Sequence, residues 1–136
     1  HWLLAHRFGR PLQYIGFGGK GLQVRDLLHV ADLVELVDEQ LARPDYWDGI
    51  VANVGGGHEG SLSLKETTAL CQELSGREVP ITPVLDERHG DVPIYISDCA
   101  RLFRHTPWRP RQTPREVLSE TWEWICEHES ALQTAL

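Results

Sequence analysis

Gly55, Gly57 and Gly60 stand at the GxGxxG spacing that lets a backbone approach a pyrophosphate, directly after the apolar run 49–54 and ahead of a capped helix. Asp86 follows the next apolar segment, where a dinucleotide site would place a ribose-binding carboxylate. Three points count against nucleotide chemistry at this loop. The gap from Gly60 to Asp86 is 26 residues, longer than the roughly 20 such sites use. The helix begins only after Ser61 and Leu62, so Gly60 need not meet it. A glycine-rich strand-to-helix turn also accounts for the same residues. A free-standing dinucleotide-binding module built on residues 55–60 is the weaker reading and stays open as an alternative.

Other reactive residue types are scattered. His58-Glu59 and His128-Glu129 each begin an HExxH pattern, but Leu62 and Leu132 stand where the second histidine belongs. Cys71, Cys99 and Cys126 form no CxxC pair, so neither a zinc site nor a disulfide framework is indicated, and a reducing cytoplasm suits them. Ser61 and Ser63 have no histidine base at motif spacing, and capping a helix is their better role.

These residues fall on alternating strands and helices, without repeats. Residues 1–8 read as the tail of a helix stopped by Gly9 and Pro11, then a strand over 12–17 and a glycine loop over 18–21. Residues 24–30 predict a second strand. A helix over 31–42 places Val30, Leu33, Val34, Val37 and Leu41 on one apolar face, which is expected to meet the core. Residues 49–54 form a glycine-bounded apolar run, as in a buried parallel strand. Ser63 and Glu66 make a capping box for a helix over 64–75 that Gly76 ends, and residues 79–85 read as a strand. Ser97 is expected to cap a short helix through Phe103. Thr113, Pro114 and Glu116 open the last helix, on which Val117, Thr121 and Trp124 lie beside Leu118, Trp122 and Ile125.

With 136 residues, 41% hydrophobic and 24% charged, the chain has the make-up of one globular domain. No apolar run approaches the roughly 20 residues of a membrane span. Basic residues interrupt the short apolar patch at His1–Arg7, so it makes no signal peptide. A net charge of −7 argues against a nucleic-acid surface, although arginines can still gather locally. Methionine is missing throughout, position 1 included, which leads us to expect N-terminal material ahead of His1.

Residues 11–30 (Pro-Leu-Gln-Tyr-Ile-Gly-Phe-Gly-Gly-Lys-Gly-Leu-Gln-Val-Arg-Asp-Leu-Leu-His-Val) resemble the segment yxGfGGkGxQVRDxLHV of the extended short-chain dehydrogenase/reductases, the NAD-dependent nucleotide-sugar epimerases and dehydratases. The wording is similar to the CDP-paratose 2-epimerase (tyvelose epimerase) branch. Asn53-Val54-Gly55-Gly56-Gly57-His58-Glu59-Gly60-Ser61 is similar to that branch's NVGGGxENS. Arg88-His89-Gly90-Asp91 stands for the family's RxGD, and Trp108-Arg109-Pro110 is similar to its GWxP turn. Departures are His89 for proline, His58 for arginine and Gly60 for asparagine.

The resemblance implies an α/β fold, namely the C-terminal part of an extended Rossmann-type nucleotide-sugar epimerase: its last parallel strands plus a small helical substrate-binding lobe. Residues 1–136 would form a single substrate-binding portion, with the N-terminal NAD-binding part outside this chain. The family's Tyr-x-x-x-Lys pair has no counterpart, because Tyr14, Tyr46 and Tyr95 are followed four residues later by Gly18, Ile50 and Cys99. The isolated chain is therefore expected to be inactive and to bind no NAD itself, NAD belonging to the complete enzyme. By the same resemblance, Arg25 and Arg88 would clamp the diphosphate of a CDP- or UDP-sugar, since guanidinium forks pair with phosphate oxygens. Gln13 and Tyr14, with Leu12, would lie along the base, and Gln23 and Lys20 would approach phosphate or sugar. Read without it, Arg25 is an ion-pair partner of Asp26 or Asp32, residues 12–14 are a sheet edge, and Gln23 and Lys20 belong to a solvated loop. Expected partners are a nucleotide-sugar, the missing N-terminal part and, with room left for it, a second copy in a homodimer. A second alternative is a non-catalytic oligomerisation domain using the final helix, with Trp122 and Trp124, as its interface.

Overall fold

Glycine in the left-handed region ends the first helix. The computed structural model, which describes residues 1–86 and 89–135, has α1 (Trp2–Phe8) stopping at Gly9 with φ 65°. Beyond it β1 (Leu12–Ile15) pairs in parallel with β4 (Ile81–Val84), Leu12 opposite Ile81 and Ile15 opposite Val84. A second sheet is centred on β2 (Val24–Asp26), antiparallel to β3 (Ser61–Ser63) and parallel to β5 (Ile94–Tyr95). The strand expected over 24–30 thus ends at Asp26. His29 already caps the next helix, its Nδ1 accepting the Ala31 N–H at 3.1 Å.

Two capping boxes set helix starts as the sequence anticipates. Ser63 Oγ accepts the Glu66 N–H at the start of α4 (Leu64–Ser75), and the Glu66 carboxylate accepts the Ser63 N–H at 2.8 Å. Thr113 and Glu116 repeat the arrangement on α6 (Pro114–Glu127). The Ser63 hydroxyl, and then its amide, hold Glu66 below the usual carboxylate range. For Glu116 the Thr113 amide is the larger cause and the hydroxyl the smaller. A depressed carboxylate stabilises the fold above its unfolded pKa, and that contribution is lost as pH falls through the folded value. Circular dichroism melts should therefore show the parent losing stability faster than Ser63→Ala between about pH 5 and about pH 3, around the ordinary carboxylate values.

One core lies among the helices, where Leu3, Cys71, Leu118 and Ile125 are buried and Trp2, Leu74, Trp122 and Leu132 pack around them. Leu132 is carried by α7 (Glu129–Ala135). Burial pushes the Cys71 thiol up to about 11 and also raises that of Cys99, while Cys126 is exposed. A thiolate-selective reagent at about pH 8 should modify Cys126 in the folded chain and reach the other two thiols only after unfolding, which mass spectrometry reads directly.

A second core holds Leu36, Trp47, Leu102 and Trp108, with Ile50, Ala52 and Val54 against it. It joins α2 (Val30–Ala42), α3 (Pro44–Trp47) and α5 (Ala100–His105). Asp32, only 3% exposed, ties this core to the loop before α6. Its Oδ2 accepts the N–H groups of Arg111 at 3.2 Å and Gln112 at 3.1 Å, and its carbonyl accepts the Trp108 indole N–H at 3.1 Å.

Three expectations are corrected. α2 turns Leu36 and Asp32 inward and leaves the whole stripe Val30, Leu33, Val34, Val37 and Leu41 exposed, so the expected core face is the outer face. Residues 49–54 form no strand, because no neighbouring strand lies beside them among the described residues. The cap expected of Ser97 is replaced one residue on: Asp98 Oδ1 accepts the Ala100 N–H at 2.9 Å. Among the described residues no helix is long and apolar enough to cross a membrane.

Candidate functional site

The short parallel pair and the neighbouring sheet leave a cavity of about 420 Å³ between them, lined by Leu12, Gln13, Ile15, Gln23, Arg25 and Asp91 among others. Strand alternation explains which side chains reach it. On β2, Arg25 turns to the cavity, and Asp26 turns to the other side, where its Oδ2 accepts the Gly57 N–H at 3.0 Å.

Arg25 is half-exposed and held at two points. Its Nη1 donates to the Val24 carbonyl at 2.7 Å and its Nη2 to Asp91 Oδ1 at 2.9 Å. The ion pair is therefore with Asp91, and neither Asp26 nor Asp32 is the partner. A single pair that solvent still reaches is worth little to stability, so its cost of rearrangement around an anion is small. Asp91 belongs to the RxGD block and was not singled out from sequence; its fixed place three residues after Arg88 was the available signal.

Gln23 is the best-fixed of the expected residues, at 6% exposure. Its Nε2 donates to the Ile15 carbonyl, which braces β2 against β1. Its Oε1 is buried with no partner among the described residues, an acceptor left over at the cavity wall. The reading of Gln23 as a solvated loop residue does not hold. Gln13 lines the same cavity from β1 and is exposed.

Tyr14 does not line this cavity. Its hydroxyl donates to Thr68 Oγ1 at 2.8 Å, and its ring lies where a Cβ on Gly21 would come within 2.7 Å, which explains the glycine there. Lys20 is exposed at the end of the glycine loop. Arg88 lies outside the described residues. The site as described therefore unites Gln13, Gln23 and Arg25, adds Asp91, and leaves Tyr14 apart.

The GxGxxG loop is filled by protein. A Cβ on Gly56 would sit 1.8 Å from the Leu27 carbonyl oxygen, and one on Gly55 would meet Ser97 and Asp26 at about the same depth, 2.4–2.5 Å. The loop leads into β3, and α4 starts only at Leu64, so no helix N-terminus faces these glycines. Close packing explains Gly56 and Gly60 against Leu27 and Gly55 against Ser97 and Asp26, while Gly57 takes φ 62° with its N–H on Asp26, and the loop does not fit a dinucleotide pyrophosphate. No group of three or more His, Cys, Asp or Glu among the described residues could hold a metal ion.

No family model matches the chain. It is 28% identical over 106 residues to CDP-paratose 2-epimerase of Salmonella typhi, covering 78% of this chain and 31% of the relative. The fold is similar to the dTDP-glucose 4,6-dehydratase of Bacillus anthracis solved in complex with NAD, with a TM-score of 0.71 and 27% identity, over 95% of this chain and 39% of that one. It is also similar in fold to the UDP-glucuronic acid 4-epimerase of Bacillus cereus solved with UDP-glucuronic acid and NAD, with a TM-score of 0.78 and 18% identity, over 93% and 38%. The chain thus spans about a third of the length of the curated relative and under two fifths of these structures. The curated relative and the solved structures that this chain matches are thus epimerases and dehydratases of the extended short-chain dehydrogenase/reductase family, each matched over only a part of its length.

Proposed function

We propose that this chain is the nucleotide-sugar-binding part of an NAD-dependent epimerase or dehydratase, and that its cavity takes the nucleotide and diphosphate end of a CDP- or UDP-sugar. The observation that supports this most directly is Arg25 on the cavity wall beside Gln13 and Gln23, held only by a carbonyl and a partly buried carboxylate. A diphosphate offers the guanidinium stronger, charge-assisted acceptors than it has now. Arg88, three residues before Asp91 in sequence, supplies the second guanidinium in this reading. Tyr14 supports β1 from behind, through Thr68, rather than touching the ligand.

Binding energy gathered at the diphosphate, far from the reacting carbon, orients the sugar toward chemistry carried out elsewhere. NAD supplies the redox step in the complete enzyme. The glycine loop of this chain does not fit that cofactor, so the cofactor and the catalytic Tyr and Lys belong to the N-terminal part, and this chain binds substrate without turning it over. The buried, unpaired thiols of Cys71 and Cys99 suit work in a reducing cytoplasm.

Calorimetric titration tests the reading. CDP or UDP should bind saturably, should bind more tightly than cytidine or uridine, and should weaken as salt is raised. Nucleosides binding as well as their diphosphates would overturn it, because the guanidinium would then contribute nothing.

A further inference from the structure

The walls of the cavity belong to two separate sheets. Leu12, Gln13 and Ile15 stand on β1, which pairs only with β4, whereas Arg25 stands on β2, between β3 and β5. Among the described residues no backbone hydrogen bond joins one sheet to the other. A pocket built in this way keeps its width only if side chains lock the two sheets together.

One side chain crosses the gap. Gln23, the residue before β2, donates from Nε2 to the Ile15 carbonyl at the end of β1. Its own carbonyl accepts the Leu64 N–H at 3.0 Å, where α4 begins. Among the described residues this amide makes the one hydrogen bond that leads from β1 to the strand bearing Arg25 and its lead-in. The other tie of β1 runs elsewhere, from Tyr14 to Thr68 on α4.

The chemistry of the amide decides which end of Gln23 is used. A carbonyl accepts only from the NH2 group, so the bond to Ile15 fixes the orientation. Oε1 is then left buried, closed to solvent and without a partner. It offers a ligand no surface, and the donor end acts on the spacing of the walls. At 6% exposure the donor bond is shielded from water, which strengthens it. Arg25 lies two residues further on and on the same side of the strand, about 7 Å away along it.

We propose that Gln23 is a positioning residue: it sets the separation between the base wall on β1 and the guanidinium of Arg25, and so matches the cavity to the span of one nucleoside diphosphate. The inference rests on the reading of this cavity as a nucleotide site. A ligand that engages both walls binds better than its separate ends, because the second contact is intramolecular, and that gain exists only at the right spacing. Gln23 governs the gain. Each end taken alone touches one wall and is indifferent to the spacing.

Chemical-shift titration of the chain with CDP, cytidine and inorganic pyrophosphate reads this directly. Gln23→Met is close in length, uncharged and lacks the amide donor. It should weaken CDP by about 10-fold, while cytidine and pyrophosphate bind as they do to the parent. A glutamine that touched the ligand would instead weaken cytidine or pyrophosphate in step with CDP. One that only stabilised the fold would lower the melting temperature and leave all three affinities unchanged. Either pattern overturns the proposal. A second measurement needs no variant and decides the matter if Gln23→Met does not fold. In the parent, hydrogen exchange at the Gln23 side-chain amide should slow by about 10-fold with CDP and stay unchanged with cytidine or pyrophosphate. Equal rates with and without CDP overturn the proposal. CDP binding no tighter than cytidine in the parent removes the proposed function and this inference with it, whereas tighter CDP binding that Gln23→Met leaves intact removes the positioning role alone.

Discussion

Replacing Arg25 by alanine is expected to weaken CDP or UDP binding by about 10- to 100-fold while leaving the fold unchanged. A hydrogen bond to a charged partner is worth about 1.5–3 kcal/mol, and each 1.4 kcal/mol is roughly a factor of ten. The fold should be nearly indifferent, since the side chain holds only the neighbouring Val24 carbonyl and Asp91, in an ion pair that solvent still reaches. Arg25→Lys keeps the charge but not the fork, so its affinity should fall between the two. The salt dependence should flatten with Arg25→Ala, because one charge contact is gone. Calorimetry reads both effects, and an Arg25→Ala chain that binds with the parent's affinity and salt response would remove the clamp.

Asp32 should carry the largest stability effect in the molecule. Asp32→Ala removes the acceptor for two backbone N–H groups, Arg111 and Gln112, beside a carboxylate that is almost wholly buried. Losing charge-assisted bonds and orphaning their donors should cost about 3 kcal/mol. For a chain of this size that lowers the melting temperature by about 10 °C. Asp32→Asn, which retains one carbonyl oxygen, should lose about half as much. Trp108, whose indole N–H is bound to the Asp32 carbonyl, offers the readout: its fluorescence should report the loosened loop before global unfolding.

Local signals were legible and distant ones were not. The capping boxes at Ser63–Glu66 and Thr113–Glu116 depend on neighbours three residues apart, and the structure has both. The spacing of Val30, Val34, Val37 and Leu41 showed that these residues share a helix face. Periodicity cannot say what meets that face, and here the inward residues are Leu36 and Asp32. Residues 49–54 have the composition of a buried strand, but a strand also needs a partner, and pairing is a property of the whole sheet. The same limit governs the site. Gln23, Gln13 and Arg25 lie within one short block whose wording resembles a family motif, so they were found together. Asp91 is 66 positions from Arg25, and only the fold brings the two to 2.9 Å. Tyr14 is grouped with Gln13 by the resemblance of residues 12–14 to the family's short strand, although adjacent residues on a strand face opposite ways. The GxGxxG spacing at Gly55, Gly57 and Gly60 misleads because it reports only where side chains are missing. Whether a ligand or the Leu27 carbonyl fills the gap is decided in three dimensions.

The pairing of β2 on both sides, Val24 opposite Ser63 and opposite Ile94, has an electrical consequence. Slipping this strand by a single residue would exchange the directions of Arg25 and Asp26. The hollow would then present a carboxylate and repel anions, and the glycine turn would lose its acceptor to a cation. Two flanking ladders on a three-residue strand thus decide which of two oppositely charged side chains faces the hollow.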